Sequence, residues 1–309
     1  VIVDECSMID GAMMAKLLDA IDDHTKLYLI GDKDQLASVE AGSVFGDMCR
    51  LDRSGLLKGK IDEKRESRRF SSKMGIGKLS REIIEGSFTD LSAFKEDDQI
   101  TIDTTYSDTL FREYASKYLE YLGETDIRRA LEALNRVRFL CVTREHDHSV
   151  AETNRRIEKF LQREAGDSST FRPERKMYHN QPVMITRNDY NLKLYNGDVG
   201  LIRKRDGILY ACFETTEREI REIPAGYLND YETVFAMTIH KSQGSEFDHV
   251  AVILPEKQGQ KLLTRELLYT GVTRAKKSVL IQSAGEVLLR SVEKGVSRMS
   301  GLQQRINGA

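Results

Sequence analysis

The first 32 residues, VIVDECSMIDGAMMAKLLDAIDDHTKLYLIGD (Val1–Asp32), decide the fold class. Val1–Val3 is a short apolar run that ends in two acids, Asp4 and Glu5. From Ala12 to Ile21 the apolar residues recur at helical spacing, and Lys26–Ile30 alternates into a second strand that ends at Gly31-Asp32. Strand, helix, strand and then a polar loop make an α/β unit with a parallel sheet, since parallel neighbours need a long crossover. In such sheets ligands gather beyond the carboxyl ends of the strands, and both acidic ends lie there.

The same grammar returns downstream. Arg138–Thr143 (RFLCVT) is an apolar strand, followed by a helix with Val150, Asn154, Ile157 and Leu161 on one face. Strand patterns recur at Val234–Thr238, His249–Leu254 and Ser278–Ser283, with a helix over Glu266–Thr273. Between them, Gln181–Tyr231 changes character: short β-rich runs are separated by turns at Asn196-Gly197 and Asp206-Gly207, the latter a hairpin dipeptide. This stretch reads as a small β-barrel inserted in a second α/β domain. Residues 76–136 read as mostly helical connecting structure, with one amphipathic helix over Phe111–Leu122. The expected domains are 1–75, the helical region 76–136, a second α/β domain over 137–180 and 233–309, and the insert over 181–232.

Composition narrows the class. A chain of 309 residues suits about two domains, and 40% hydrophobic with 31% charged residues excludes a disordered or collagen-like chain. No run of 18 apolar residues occurs, so no membrane-spanning helix is expected. Cys6, Cys49, Cys141 and Cys212 form no C-x-x-C pair, which argues against a zinc cluster or a disulfide framework and fits a reducing, cytoplasmic setting. The net charge of -2 hides basic stretches over Lys60–Arg81 and Lys261–Arg305 and an acidic one over Ser87–Asp126. Basic stretches attract polyanions, although a solvated helical face has the same composition.

Asp4-Glu5 directly after a strand suits Mg²⁺ held by Asp4 and an attacking water polarised by Glu5, as in enzymes that cleave a γ-phosphate. Two acids at a strand end are also common as merely solvated groups. In GDKDQLASVEAG (Gly31–Gly42) the carboxamide of Gln35 stands where a neutral donor can contact a γ-phosphate. FAMTIHKSQGSEFDHV (Phe235–Val250) carries Thr238, His240 and Ser242, suited to a phosphodiester backbone, and Glu246, which could accept from a ribose hydroxyl. LLYTGVTRAKK (Leu267–Lys277) contains Arg274, which suits transition-state charge on a γ-phosphate. His146, Asp147 and His148 are adjacent, a poor geometry for one metal ion, and read as a solvated loop. Tyr190, Tyr195 and Tyr210 suit either base stacking or a core.

Taken in order, VIVDECSMID, GDKDQLASVEAG, AMTIHKSQGSEFD and ELLYTGVTRAK resemble motifs II, III, V and VI of superfamily-one helicases. The closer likeness is to the RecD-type alpha chain of exodeoxyribonuclease V, extended by SVEAGSVFGD, PVMITRND, LYNGDVG and MSGLQQRI and weakest from about 85 to 136. That resemblance implies two RecA-like motor domains with ATP and Mg²⁺ between them and 5′-to-3′ movement on single-stranded DNA. It further implies a barrel that helps hold the strand, double-strand break repair, and beta and gamma subunits as partners. The family's fourth motif maps onto Arg69 in ESRRFSSKMGIG, as a second γ-phosphate contact beside Arg274. One departure stands out: no G-x-x-x-x-G-K-[ST] occurs, so the phosphate-cradling loop is not in these residues. The chain opens in mid-strand, and the expectation is a piece of a longer ATPase that does not hydrolyse ATP alone. The alternatives are a non-catalytic DNA-binding or assembly subunit that keeps the motor fold, or another helicase of the superfamily.

Overall fold

The computed structural model describes residues 1–37, 44–50, 57, 59–64, 74–165, 177–257, 262–295 and 302. The chain forms two compact units, Val1–Asp90 with Gln260–Thr273 and Leu289–Ala309, and Leu91–Gly259 with Arg274–Leu288.

In the first unit, β1 (Ile2–Val3) and β2 (Tyr28–Leu29) pair in parallel, with Ile2 opposite Tyr28 and Val3 opposite Leu29. The crossover between them is α1 (Gly11–Asp19), whose N-cap, Asp10, accepts from Met13 N–H at 2.7 Å. This satisfies one of the amide donors that every helix start leaves unpaired. Two more helices follow, α2 (Val44–Arg50) and α3 (Gly75–Glu85). From far along the chain, α8 (Arg265–Val272) packs on α3. Its first residue fastens the pair, because the Arg265 guanidinium donates to Ile84 O at the end of α3 and to Glu293 O.

The second unit holds five parallel strands: β3 (Ile100–Asp103), β4 (Val137–Cys141), β10 (Ala236–Thr238), β11 (Phe247–Ile253) and β12 (Ala275–Gln282). They lie in the order β10-β4-β11-β12-β3. Helices α4 (Asp108–Ser116), α5 (Leu119–Gly123), α6 (Ile127–Leu134) and α7 (Val150–Glu164) accompany them. Phe111, Tyr118, Phe139, Ile157, Leu161 and Phe235 meet in one buried cluster. After β12 comes α9 (Gly285–Glu293).

Two expectations for residues 76–136 change. The amphipathic run Phe111–Leu122 is two helices, broken at Lys117-Tyr118, which turns the buried Tyr118 hydroxyl to 2.7 Å from Phe235 O. The supposed connecting region also supplies β3, the edge strand of the second parallel sheet. Its sequence, ITID, is too short and too polar to announce itself.

The insert is a five-stranded antiparallel sheet: β5 (Pro182–Ile185), β6 (Val199–Arg205), β7 (Ile208–Glu214), β8 (Ile220–Pro224) and β9 (Tyr231–Thr233), in the order β8-β7-β6-β5-β9. Among the described residues its end strands, β8 and β9, are not hydrogen-bonded to each other, so no closed ladder runs around it. Asp206 and Gly207 both have positive φ, 48° and 85°, the geometry a two-residue hairpin turn demands. Asn154 of α7 ties the insert's exit to β10: its Oδ1 accepts from Phe235 and Ala236 N–H, and its Nδ2 donates to Thr233 O and Ala236 O.

Candidate functional site

At the carboxyl end of β1 the backbone turns abruptly. Glu5 takes the left-handed conformation (φ 54°), and its N–H donates to Asp4 Oδ1 at 2.8 Å. A left-handed backbone costs a non-glycine residue about 1–2 kcal/mol, and such strain gathers where function requires it. The parallel ladder continues past the turn, with Cys6 N–H donating to Ile30 O at 2.9 Å. Gly31 permits this approach, since a Cβ there would lie 3.0 Å from Cys6 N and 3.1 Å from Ser7 N. Burial pushes the Cys6 thiol above its ordinary range, so it stays neutral between the acids and the sheet.

The loop after β2 is organised by Asp32. Its Oδ1 accepts from Asp34 N–H at 2.9 Å, and its Oδ2 accepts from Gln35 Nε2 at 3.2 Å and from the Tyr269 hydroxyl of α8 at 2.9 Å. A second tie lies beside it, where Leu36 N–H donates to Thr270 Oγ1 at 2.9 Å. Lys33 sits 2.8 Å from Asp34 and 3.2 Å from Glu63. Partial burial opposes its charge, but the two carboxylates prevail and its pKa is raised. Gln35 gives an amide N–H to Asp32, while its Oε1 is buried without a hydrogen-bond partner among the described residues.

The remaining site residues lie in the second unit, except Arg69, which falls outside the described residues. Thr238 ends β10 half-exposed, and its Oγ1 accepts from Lys241 N–H at 3.3 Å. It opens on a concavity of about 850 Å³ of mixed charge, lined by Arg144, Arg155 and Lys241 and by the carboxylates of Glu145, Asp147, Glu152, Glu158 and Glu232. His240 is half-exposed in the short 3₁₀ turn His240–Ser242. Ser242 is wholly buried and donates its hydroxyl to Ile239 O at 2.8 Å, so in this conformation it braces the turn from inside. Glu246 is exposed. Arg274 is only 4% exposed, and its Nη1 donates to Ser245 O at 3.2 Å.

Three features escaped the sequence reading. Tyr269 contacts Asp32, and the only clue was its place inside LLYTGVTRAKK. Lys241 pairs with Glu232 of β9 at 2.7 Å, joining the motif around His240 to the insert. His148 is no solvated loop residue: it stacks on Tyr106 with ring centroids 4.1 Å apart and meets Glu256 at 3.2 Å. His146 and Asp147 are exposed, and the described residues contain no cluster of metal-binding side chains. Tyr190 and Tyr195 stand 75% and 51% exposed on the β5–β6 loop, whereas Tyr210 is half-buried in β7.

Parallel sheets with acids at two neighbouring strand ends, followed by a Gly-Asp-x-x-Gln loop tied to a Thr-Arg helix, define the class as a superfamily-one helicase motor built on RecA-like domains. Matches to known proteins carry this further. Residues 1–105 match an AAA domain model, and residues 233–281 match the UvrD-like helicase C-terminal domain. RecBCD enzyme subunit RecD of Mycolicibacterium smegmatis is 37% identical over 100% of this chain and 54% of its own length. RecD of Mycobacterium tuberculosis is 34% identical over 99% of this chain and 53% of its own. The Pif1 helicase of Candida albicans shares the fold, with a TM-score of 0.51 at 15% identity, covering 99% of this chain and 76% of that one. The chain is of the RecD type within superfamily one, and it spans about half the length of the curated relatives it matches.

Proposed function

We propose that the chain is the part of an ATP-dependent DNA helicase that senses the γ-phosphate and grips the strand, in the alpha subunit of an exodeoxyribonuclease V. The observation that carries this reading is the paired strand ends, Asp4-Glu5 and Gly31-Asp32, with Gln35 held on Asp32. Those residues fit a nucleotide with its attacking water: Gln35 Oε1 is a buried acceptor to which a water can donate, and Gly31 leaves the strand ends close enough to act together. Bound ATP with Mg²⁺ would supply the cleavable phosphoanhydride. Asp4 would hold the metal, Glu5 would take the proton of the attacking water, and Arg274 with Arg69 would neutralise developing charge. Thr238 and His240 would contact the DNA backbone with Ser242 bracing their turn, and Glu246 would contact a nucleotide ribose hydroxyl. The antiparallel insert would help hold the strand, with Tyr190 and Tyr195 stacking on bases.

Movement would run 5′-to-3′ on single-stranded DNA, in double-strand break repair and with beta and gamma subunits as partners. By themselves these residues would not hydrolyse ATP, because the glycine-rich loop that cradles phosphates is not among them. The test is hydrolysis by the full-length protein with and without single-stranded DNA. Strand-stimulated activity abolished by Glu5→Gln supports the reading, and undiminished activity in that variant removes Glu5 from its role. Forked substrates with one tail test direction: unwinding from a 5′ tail is expected, and unwinding from a 3′ tail alone would reverse the assignment.

A further inference from the structure

Tyr269 is not among the residues assigned to hydrolysis above, yet its hydroxyl donates to Asp32 Oδ2, the same oxygen that accepts from Gln35 Nε2. We infer that Tyr269, acting through Asp32, is a positioning residue that fixes which face of the Gln35 carboxamide is offered to the reaction. This rests on the proposed ATPase reading and specifies how one of its residues is set.

A primary amide has a donor end and an acceptor end that differ little in shape, so its neighbours decide its orientation. Asp32 Oδ2 accepts from Gln35 Nε2 at 3.2 Å; turning the amide over would set Oε1 against the carboxylate and lose that bond. Gln35 Oε1 is consequently the end left open, buried and without a partner among the described residues. A buried acceptor with no partner is costly unless something outside the chain donates to it. Water is the donor available at such a site, so Gln35 orients the attacking water as an acceptor, where the sequence had suggested a donor to phosphate.

Asp32 can direct Gln35 only if it is itself held. Asp34 N–H holds Oδ1, and the Tyr269 hydroxyl holds Oδ2 at 2.9 Å from α8. The helix is locked to the same loop one residue later: Thr270 Oγ1 accepts from Leu36 N–H at 2.9 Å while donating to Glu266 O at 2.7 Å. The carboxylate is thus placed by the loop's own backbone and by α8, and a shift of α8 would release one of its two oxygens. Without the phenol, the Asp32 carboxylate can rotate, and the Gln35 amide loses its fixed sense.

The test uses the full-length protein and three variants: Tyr269→Phe, which removes only the hydroxyl, Asp32→Asn, and the double variant. The readouts are kcat and KM for ATP, the Kd of ADP, and the Kd of ADP–aluminium fluoride, which mimics the transferring phosphoryl group. Each single variant is expected to lower kcat about tenfold and to weaken ADP–aluminium fluoride binding similarly, with KM and the Kd of ADP unchanged. The double variant should fall no further than the lower single, because both act on one amide. Wild-type values in Tyr269→Phe, additive losses in the double variant, or parallel loss of ADP affinity would each overturn the inference. If the wild-type protein neither hydrolyses ATP nor binds ADP–aluminium fluoride, the ATPase reading fails first, and the inference with it.

Discussion

Arg274 and Ser245 are joined through the arginine's side chain: Arg274 Nη1 donates to Ser245 O at 3.2 Å, and two residues on Phe247 N–H donates back to Arg274 O at 2.9 Å. The guanidinium is thereby pinned to the loop that carries Glu246, with one anchor on each side of it. Lysine has a single point charge and cannot reproduce the planar fork. Arg274→Lys is expected to lower kcat for ATP hydrolysis at least about 100-fold, and Arg274→Ala about 1000-fold, the lower end of what a charge-stabilising arginine contributes. Steady-state kinetics of the full-length variants check this; activity within a factor of about three in Arg274→Ala would exclude the role.

A structural prediction concerns Asn154, which makes four hydrogen bonds to the backbone between the insert and β10. Asn154→Leu keeps the branched shape, with bulkier methyl ends, but leaves Phe235 and Ala236 N–H without that acceptor in a buried place. At about 1–3 kcal/mol per unsatisfied buried group, the expected loss is about 3 kcal/mol. Denaturant unfolding should show a lower midpoint at unchanged slope. A midpoint equal to wild type would mean that water or a shifted backbone replaces the amide.

The parts of the fold visible in the sequence are those written by local periodicity. Val1–Val3, Lys26–Ile30 and Arg138–Thr143 announce strands because each is a largely apolar run with a polar end, and the Asp206-Gly207 turn because few residues accept positive φ twice in succession. β3 was hidden since an edge strand of four residues needs little hydrophobicity, and the break at Tyr118 because a tertiary bond to Phe235 O overrides helix periodicity. The place of Asp4, Glu5 and Asp32 at the ends of two paired strands was legible from the sequence. The orientation of Gln35 was not, for it depends on Tyr269, which lies 234 residues further along the chain than Gln35. Nor was the burial of Ser242, whose hydroxyl is indistinguishable in sequence from a ligand-binding one.

Tyr190 and Tyr195 stand with ring centroids 6.4 Å apart in an edge-to-face pair, on a loop held by its own hydrogen bonds. Asp189 Oδ1 accepts from Asn191 and Leu192 N–H, Asp198 from Tyr195 N–H, and Arg221 of β8 reaches Lys193 O at 2.9 Å. Exposed aromatics on a rigid loop are ready to stack without an ordering cost. Tyr190→Ala and Tyr195→Ala should each weaken single-strand binding by about 1 kcal/mol, the lower end for base stacking. Thermal stability should not change. Fluorescence anisotropy with a labelled oligonucleotide measures the first effect, and unaltered affinity in the double variant would assign the pair to another partner.

Two partly buried histidines make the stability of the fold depend on pH. His179 and His249 both have pKa values lowered from 6.5, chiefly because burial disfavours the imidazolium, with nearby Arg203 and Lys204, or Lys117, adding to it. The geometry agrees for His179, whose Nδ1 accepts from Lys204 N–H at 2.9 Å and must be unprotonated to do so. His249 Nδ1 lies 2.8 Å from Ser278 Oγ, which the Tyr114 hydroxyl also meets at 3.0 Å. The sign follows from linkage. Between the folded and unfolded pKa values the unfolded chain binds more protons, so stability is fully present above about pH 6.5 and is lost as the pH falls through the folded values. Lowering the pH from about 7.5 to 5 should reduce the melting temperature of the full-length protein. His179→Asn should flatten that fall if its amide oxygen replaces the imidazole as acceptor for Lys204 N–H. A melting temperature that rises on acidification over this range, or a slope unmoved by His179→Asn and His249→Asn together, would show that other groups set the acid limb.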